Sequence, residues 1–138
     1  MRIFYVFNIK KEVYDIYKDT PSVLYNFFRE LHTFEKENLD YASSIFNQIA
    51  TTFNKEVLDL KIYLKLHNRL IYSKKCDEHI INDLYKDEIS IMKIKRSYIV
   101  INCNKNYSTF FNYMNNESFI CDFNNCDYFF VCKIKTLV

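Results

Sequence analysis

IFYVFNI, residues 3–9, is apolar on both alternating faces and rich in aromatic and β-branched side chains. A strand of that kind is covered on both sides and belongs near the centre of a sheet. The rest of the N-terminal half reads mainly as helix, and one strand cannot close a sheet. Its pairing partners must therefore come from the C-terminal half, which makes the chain one unit.

Working outward, KKEVYDIYK gives a short helix on which Val13, Ile16 and Tyr17 share a face, with Tyr14 beside it. These side chains cover so much of a short helix that at least one tyrosine is expected to be exposed. DTPS stops that helix and starts another, because Thr20 can cap it and Pro21 suits its first turn. The second helix is predicted from Pro21 to Lys36, burying Val23, Leu24, Phe27, Phe28, Leu31 and Phe34 and leaving His32 solvated. From Leu39 to Phe53 a further helical stripe is formed by Ala42, Ile45, Phe46, Ile49 and Phe53. Its other faces carry Ser43, Asn47, Gln48 and Thr51, all uncharged. The plain reading is a solvated face; the functional one is a surface that a partner can desolvate without stranding a charge.

LDLKIYLKL, residues 58–66, alternates as a strand would, but the unbroken stretch from Lys55 to Leu70 is too long for a typical strand. It reads as a helix facing inward through Val57, Leu60, Leu64 and Ile71. Residues 72–87 mix charge with a small apolar cluster and read as a loop with one helical turn around Ile80 to Leu84. EISIMKI and SYIVINC form a hairpin turning at Lys95 and Arg96. YSTFFNYM reads as a helix, and FICDF and DYFFVCKI as two last strands. The turn between these strands holds Asn124, Asn125 and Cys126, with asparagine standing in for glycine. The fold class expected is α/β: a single domain, residues 1–138, with a mixed sheet of about five strands and several helices packed on it.

Composition bounds the function. The 138 residues are 49% hydrophobic and 26% charged, which suits a folded globular chain and is too apolar for a disordered one. No apolar run approaches the ~18 residues of a membrane span, and the N-terminus lacks the pattern of a signal peptide, so a cytoplasmic location is expected. The five cysteines form an odd set without a C-x-x-C pair, and are expected to be buried small hydrophobes. A thiolate metal site with His79 is the sharper and less favoured alternative. No metal or other cofactor is expected.

Glycine is absent, so no Walker loop, dinucleotide-binding turn or nucleophile elbow exists. His32, His67 and His79 have no cysteine or serine nucleophile placed beside them by a known motif. Asp122 and Asp127 flank a turn, where aspartate commonly bonds backbone. Catalysis is not expected. Nucleic-acid binding would use Lys93, Lys95, Arg96, Lys133 and Lys135. However, the net charge is only +2 and the pI about 8.2, below what phosphate-binding domains usually show. The 13 Phe and 12 Tyr accompany many Ile, Asn and Lys, all with A/T-rich codons, so nucleotide bias accounts for the aromatic content. A monomeric protein-binding module remains the leading class, with a small nucleic-acid-binding protein as the alternative.

The strand IFYVFNI, the following KKEVYDIYKDTPS, the helix SVLYNFFREL and the C-terminal SFICDFNNCDYFFVCKI together resemble the SirA family of sporulation inhibitors of replication. The resemblance implies binding to the N-terminal domain of the replication initiator DnaA, without cofactor or catalysis; an adaptor for another protein partner is the alternative. It implies a partner surface made of Glu12, Val13, Tyr14 and Tyr17 on the first helix and Gln48 and Thr51 on the third, centred on Tyr17, Val13 and Gln48. Val13 and Thr51 stand where the family has aromatic residues. Tyr128, Phe129 and Phe130 replace a Tyr-Gly-Trp run.

Overall fold

The computed structural model describes residues 1–35 and 44–135. In chain order the elements are β1 (Arg2–Ile9), α1 (Lys11–Tyr17), α2 (Pro21–Glu35), α3 (Ser44–Ile49), β2 (Ala50–Thr51), α4 (Lys55–Leu66), β3 (Tyr72–Lys75) and β4 (Glu78–Asp83). Then come β5 (Glu88–Ile94), β6 (Ile99–Cys103), a 3₁₀ helix (Thr109–Tyr113), β7 (Ser118–Asp122), β8 (Asp127–Phe130) and α5 (Val131–Lys135).

The strands form one sheet in the order β3-β4-β5-β6-β1-β7-β8, with β2 paired to β1. β1 is central, as its two apolar faces require. It pairs with β6 from Arg2 to Val6 and with β7 from Tyr5 to Asn8, so its neighbours do come from the C-terminal half. Alternation sends Phe4 and Val6 to one face and Phe7 and Ile9 to the other. Ile62 and Leu66 of α4, the 3₁₀ helix and Val131 of α5 pack on the first face. Val13 of α1, Leu24 and Phe28 of α2 and Phe46 of α3 pack on the second. The result is three layers, with helices on both sides of the sheet.

The α/β class holds, but the sheet has eight strands rather than five and is antiparallel, not mixed, at every described pairing. The extra strands arise in two places, and one expected strand is shortened. Residues 72–87 are not a loop: β3 and β4 pair there from Tyr72–Ile81 to Lys75–Glu78. Their alternation is hidden because one inward position is the polar, fully buried His79. The third helix ends at Ile49, and Ala50–Thr51 becomes a strand on the side of β1 that β6 leaves after Val6. The predicted start of that helix at Leu39, with Ala42 and Ser43, lies outside the described residues. Finally, DYFFVCKI is a strand only to Phe130 and a helix from Val131.

Several inward faces also differ. α4 is a helix, but it buries Ile62 and Leu66, whereas Val57, Leu60 and Leu64 point outward. Both faces are aliphatic, so spacing could not choose between them. On α2 the buried set includes Tyr25, and Val23 is exposed. His32 is not solvated: its ring lies 4.8 Å from that of Tyr5 and stacks 4.7 Å from Phe123. Of the cysteines, Cys103 and Cys121 are buried, but Cys76 and Cys126 are exposed. These two, with Asp87, occupy the left-handed region at φ 57°, 53° and 55°. In this glycine-free chain it is therefore Cys126, not an asparagine, that takes the glycine-like conformation of the β7–β8 turn. Asn125 instead donates to Asp122 through its side-chain amide at 2.7 Å.

Candidate functional site

Two distant parts of the chain converge where β1 ends. Asn8 and Ile9 pair with Thr51 and Ala50, and the backbone N–H of Lys10 donates to the carbonyl of Ile49 at 3.1 Å. The side-chain amide of Asn8 donates to Thr51 Oγ1 at 2.8 Å. α1 begins one residue after Lys10, and α3 ends at Ile49. Two segments distant in sequence thus meet, because the β-branched Thr51 and Thr52 favour extended backbone and stop α3 where β1 has a free edge.

On α1 the core takes one face. Val13 is only 6% exposed and lies in the cluster that holds Phe46, Ala50, Leu24 and Phe28. Val13, expected at the centre of a partner surface, is buried in the core one turn before Tyr17. Tyr14 packs its ring edge-on to Phe130 at 4.9 Å, and its hydroxyl lies 3.2 Å from Cys132 Sγ. The hydrogen bond to Cys132, then burial, pushes the Tyr14 phenol up to about 12. Tyr17 is half-buried against the same core. What the helix presents outward is Lys11, Glu12, Asp15 and Ile16, with Ile16 68% exposed. Crowding did force one large side chain out, but it is an isoleucine rather than a tyrosine.

On α3, Phe46 is buried and Ile49 half-buried, whereas Ile45 is 59% exposed and Asn47 and Gln48 face outward. Thr51 is exposed, its hydroxyl engaged with Asn8. No charged residue occurs from Ser44 to Asn54. The structure therefore brings Glu12, Tyr17, Gln48 and Thr51 to neighbouring elements, withdraws Val13, and half-withdraws Tyr14. It adds Ile16 and Ile45, which helical spacing had assigned to buried stripes. The surface is apolar and neutral on α3 and mixed in charge on α1, where Lys11 stands beside Glu12 and Asp15, a chemistry suited to shape recognition of another protein.

Other polar groups tie the elements together from within. Both His79 ring nitrogens are engaged, one 2.6 Å from Asp59 and the other 2.7 Å from the Tyr72 hydroxyl. Burial pushes the Tyr72 phenol up to about 12. Buried Glu88 accepts from Ser90 Oγ at 2.5 Å and from the backbone N–H and hydroxyl of Thr109 at 3.0 and 2.6 Å, fixing the 3₁₀ helix to β5. Arg2 bridges Asp122 and Asp127 at 2.8 and 2.9 Å, closing the β7–β8 turn onto β1. Among the described residues no cluster of His, Cys, Asp or Glu could hold a metal ion, and no helix is long and apolar enough to cross a membrane.

A family model described as sporulation inhibitor of replication protein SirA matches residues 2–135. The chain belongs to the SirA family. The match runs from β1 through α5 and thus includes both segments that meet at the end of β1. The family description connects this SirA fold with inhibition of replication in sporulation. No curated protein matches the chain.

Proposed function

We propose that this protein restrains initiation of chromosome replication by binding the N-terminal domain of DnaA, and that the outer face of α1 together with α3 and β2 forms the contact. It acts by occupancy, as a monomer without cofactor or catalysis. The observation that carries this reading is the β1–β2 pairing. It joins the start of α1 to the end of an uncharged helix, and Ile16 on the first and Ile45 on the second are left open to solvent. Exposed isoleucines flanked by glutamate and amide side chains supply an apolar centre with a polar rim.

The test is to mix the protein with the DnaA N-terminal domain from the same genome and follow co-elution. A stoichiometric complex is expected, and it should be weakened when Ile16 is replaced by aspartate. Absence of a complex at concentrations of tens of micromolar would refute DnaA as the partner.

A further inference from the structure

The outer face of α4 is used neither by the core nor by the surface proposed for DnaA. Val57, Leu60 and Leu64 fall at i, i+3 and i+7, so they form one stripe, and each is between 57 and 62% exposed. Ile62 and Leu66, on the opposite side, anchor the helix to the sheet.

Along one flank of the stripe run Lys61 and Lys65, four apart and exposed, and Arg69 is exposed in the turn that follows the helix. Among the described residues none of the three has a carboxylate within ion-pair distance, whereas Lys55 at the start of the helix is paired with Asp59 at 2.9 Å. Lys65 and Arg69 reach only Tyr113, the first 5.8 Å above its ring and the second 3.5 Å from its hydroxyl. The other flank carries a single acid, Glu56.

We propose that this face docks an amphipathic helix of a second protein, one with an apolar stripe and carboxylates along one flank. The aliphatic stripe supplies the buried area, and the unpaired lysines on its flank, with Arg69 just past the end of the helix, select the charge. A second copy of this chain fits poorly. In a two-fold antiparallel pairing of α4 with itself, the lysine flank would face the same flank of its partner. Because α4 lies on the opposite side of the sheet from α1–α3, both surfaces can be filled at once. The protein then links its replication partner to a further component rather than only blocking it.

The probe is a labelled synthetic helix-forming peptide with a leucine stripe and glutamates along one flank, compared with its twin carrying lysines instead. Fluorescence anisotropy should show the glutamate peptide binding about tenfold tighter than the lysine one, as two or three exposed ion pairs allow. Leu60→Asp should weaken it by roughly tenfold or more. The paired change Lys61→Glu and Lys65→Glu should reverse the preference, and this arm decides the matter if Leu60→Asp fails to fold. DnaA-domain binding should survive all these changes; its loss would make α4 part of the first surface and overturn the proposal. Equal binding of the two peptides would overturn it too. Self-association abolished by Leu60→Asp would give the face to a second copy. Binding to phosphatidylglycerol vesicles abolished by the same change would give it to a lipid surface.

Discussion

His79 Nε2 lies 2.6 Å from Asp59 Oδ1, joining the edge hairpin β3–β4 to α4 from the inside of the core. His79 is fully buried, and Tyr72 completes the chain at 2.7 Å. The tautomer that satisfies all three groups has Nε2–H donating to Asp59 and the Tyr72 hydroxyl donating to Nδ1. Removing the ring leaves a carboxylate and a phenol without their partner and opens a cavity. His79→Ala is expected to cost about 2–3 kcal/mol, read as a shift in the urea unfolding midpoint. A loss below about 0.5 kcal/mol would mean that the chain of hydrogen bonds does not hold the hairpin.

The same bond makes stability depend on pH. Burial pulls the Asp59 carboxyl upward, but hydrogen bonds from His79 and Lys55 outweigh it and hold it below the ordinary 3.8. Asp122 is likewise held down, with hydrogen bonds from Asn125 and Arg2 overcoming its burial. A carboxyl lowered in the folded state stabilises above its unfolded value, and that contribution vanishes as pH falls through the folded one. Unfolding free energy measured from pH 6 to pH 2 should therefore drop below about pH 4. The drop should be shallower in Asp59→Asn and Asp122→Asn. An unchanged slope in both variants would remove these two groups from the acid transition.

Cys76 offers a stabilising change. It sits in the turn between β3 and β4 at φ 57°, is exposed, and pairs with no other cysteine. A non-glycine residue there costs about 1 kcal/mol or more, part of which glycine returns through its larger unfolded-state entropy. Cys76→Gly should raise stability by roughly 0.5 kcal/mol, with Cys76→Ser near neutral. A thermal melt of the three proteins under reducing conditions checks the order.

These turns and struts explain what could be read in advance. The central strand, α1, α2, α4 and the β5–β6 hairpin were legible because each repeats apolar residues at one period. β4 was not, because His79 occupies an inward position and spoils the alternation of Ile81 with its neighbours. α4 was recognised as a helix but turned the wrong way, since Leu58, Ile62 and Leu66 on one side match Val57, Leu60 and Leu64 on the other. The outward face of α1 was hidden in the same manner. Val13 and Ile16 are both apolar and three apart, and only the burial of Val13 in the core cluster that also holds Phe46 and Ala50 decides which of them faces out.

That decision separates core from interface by experiment. Val13 belongs to the core cluster and Ile16 does not, although both lie on one short helix. Val13→Ala should lower stability by about 2 kcal/mol while the folded fraction binds the DnaA domain normally. Ile16→Asp should leave the melt within about 0.5 kcal/mol of the parent, since it changes an exposed position. It should nevertheless weaken binding by roughly 30-fold, the effect of placing a charge in a desolvated contact centre. Tyr17→Ala should do some of each, because its ring is half in the core and half outside. Isothermal titration and urea unfolding on the same preparations give both numbers. If Ile16→Asp binds as tightly as the parent while Tyr17→Ala does not, the contact is centred on the tyrosine and the isoleucine is a bystander. If neither changes affinity, α1 is not the DnaA surface.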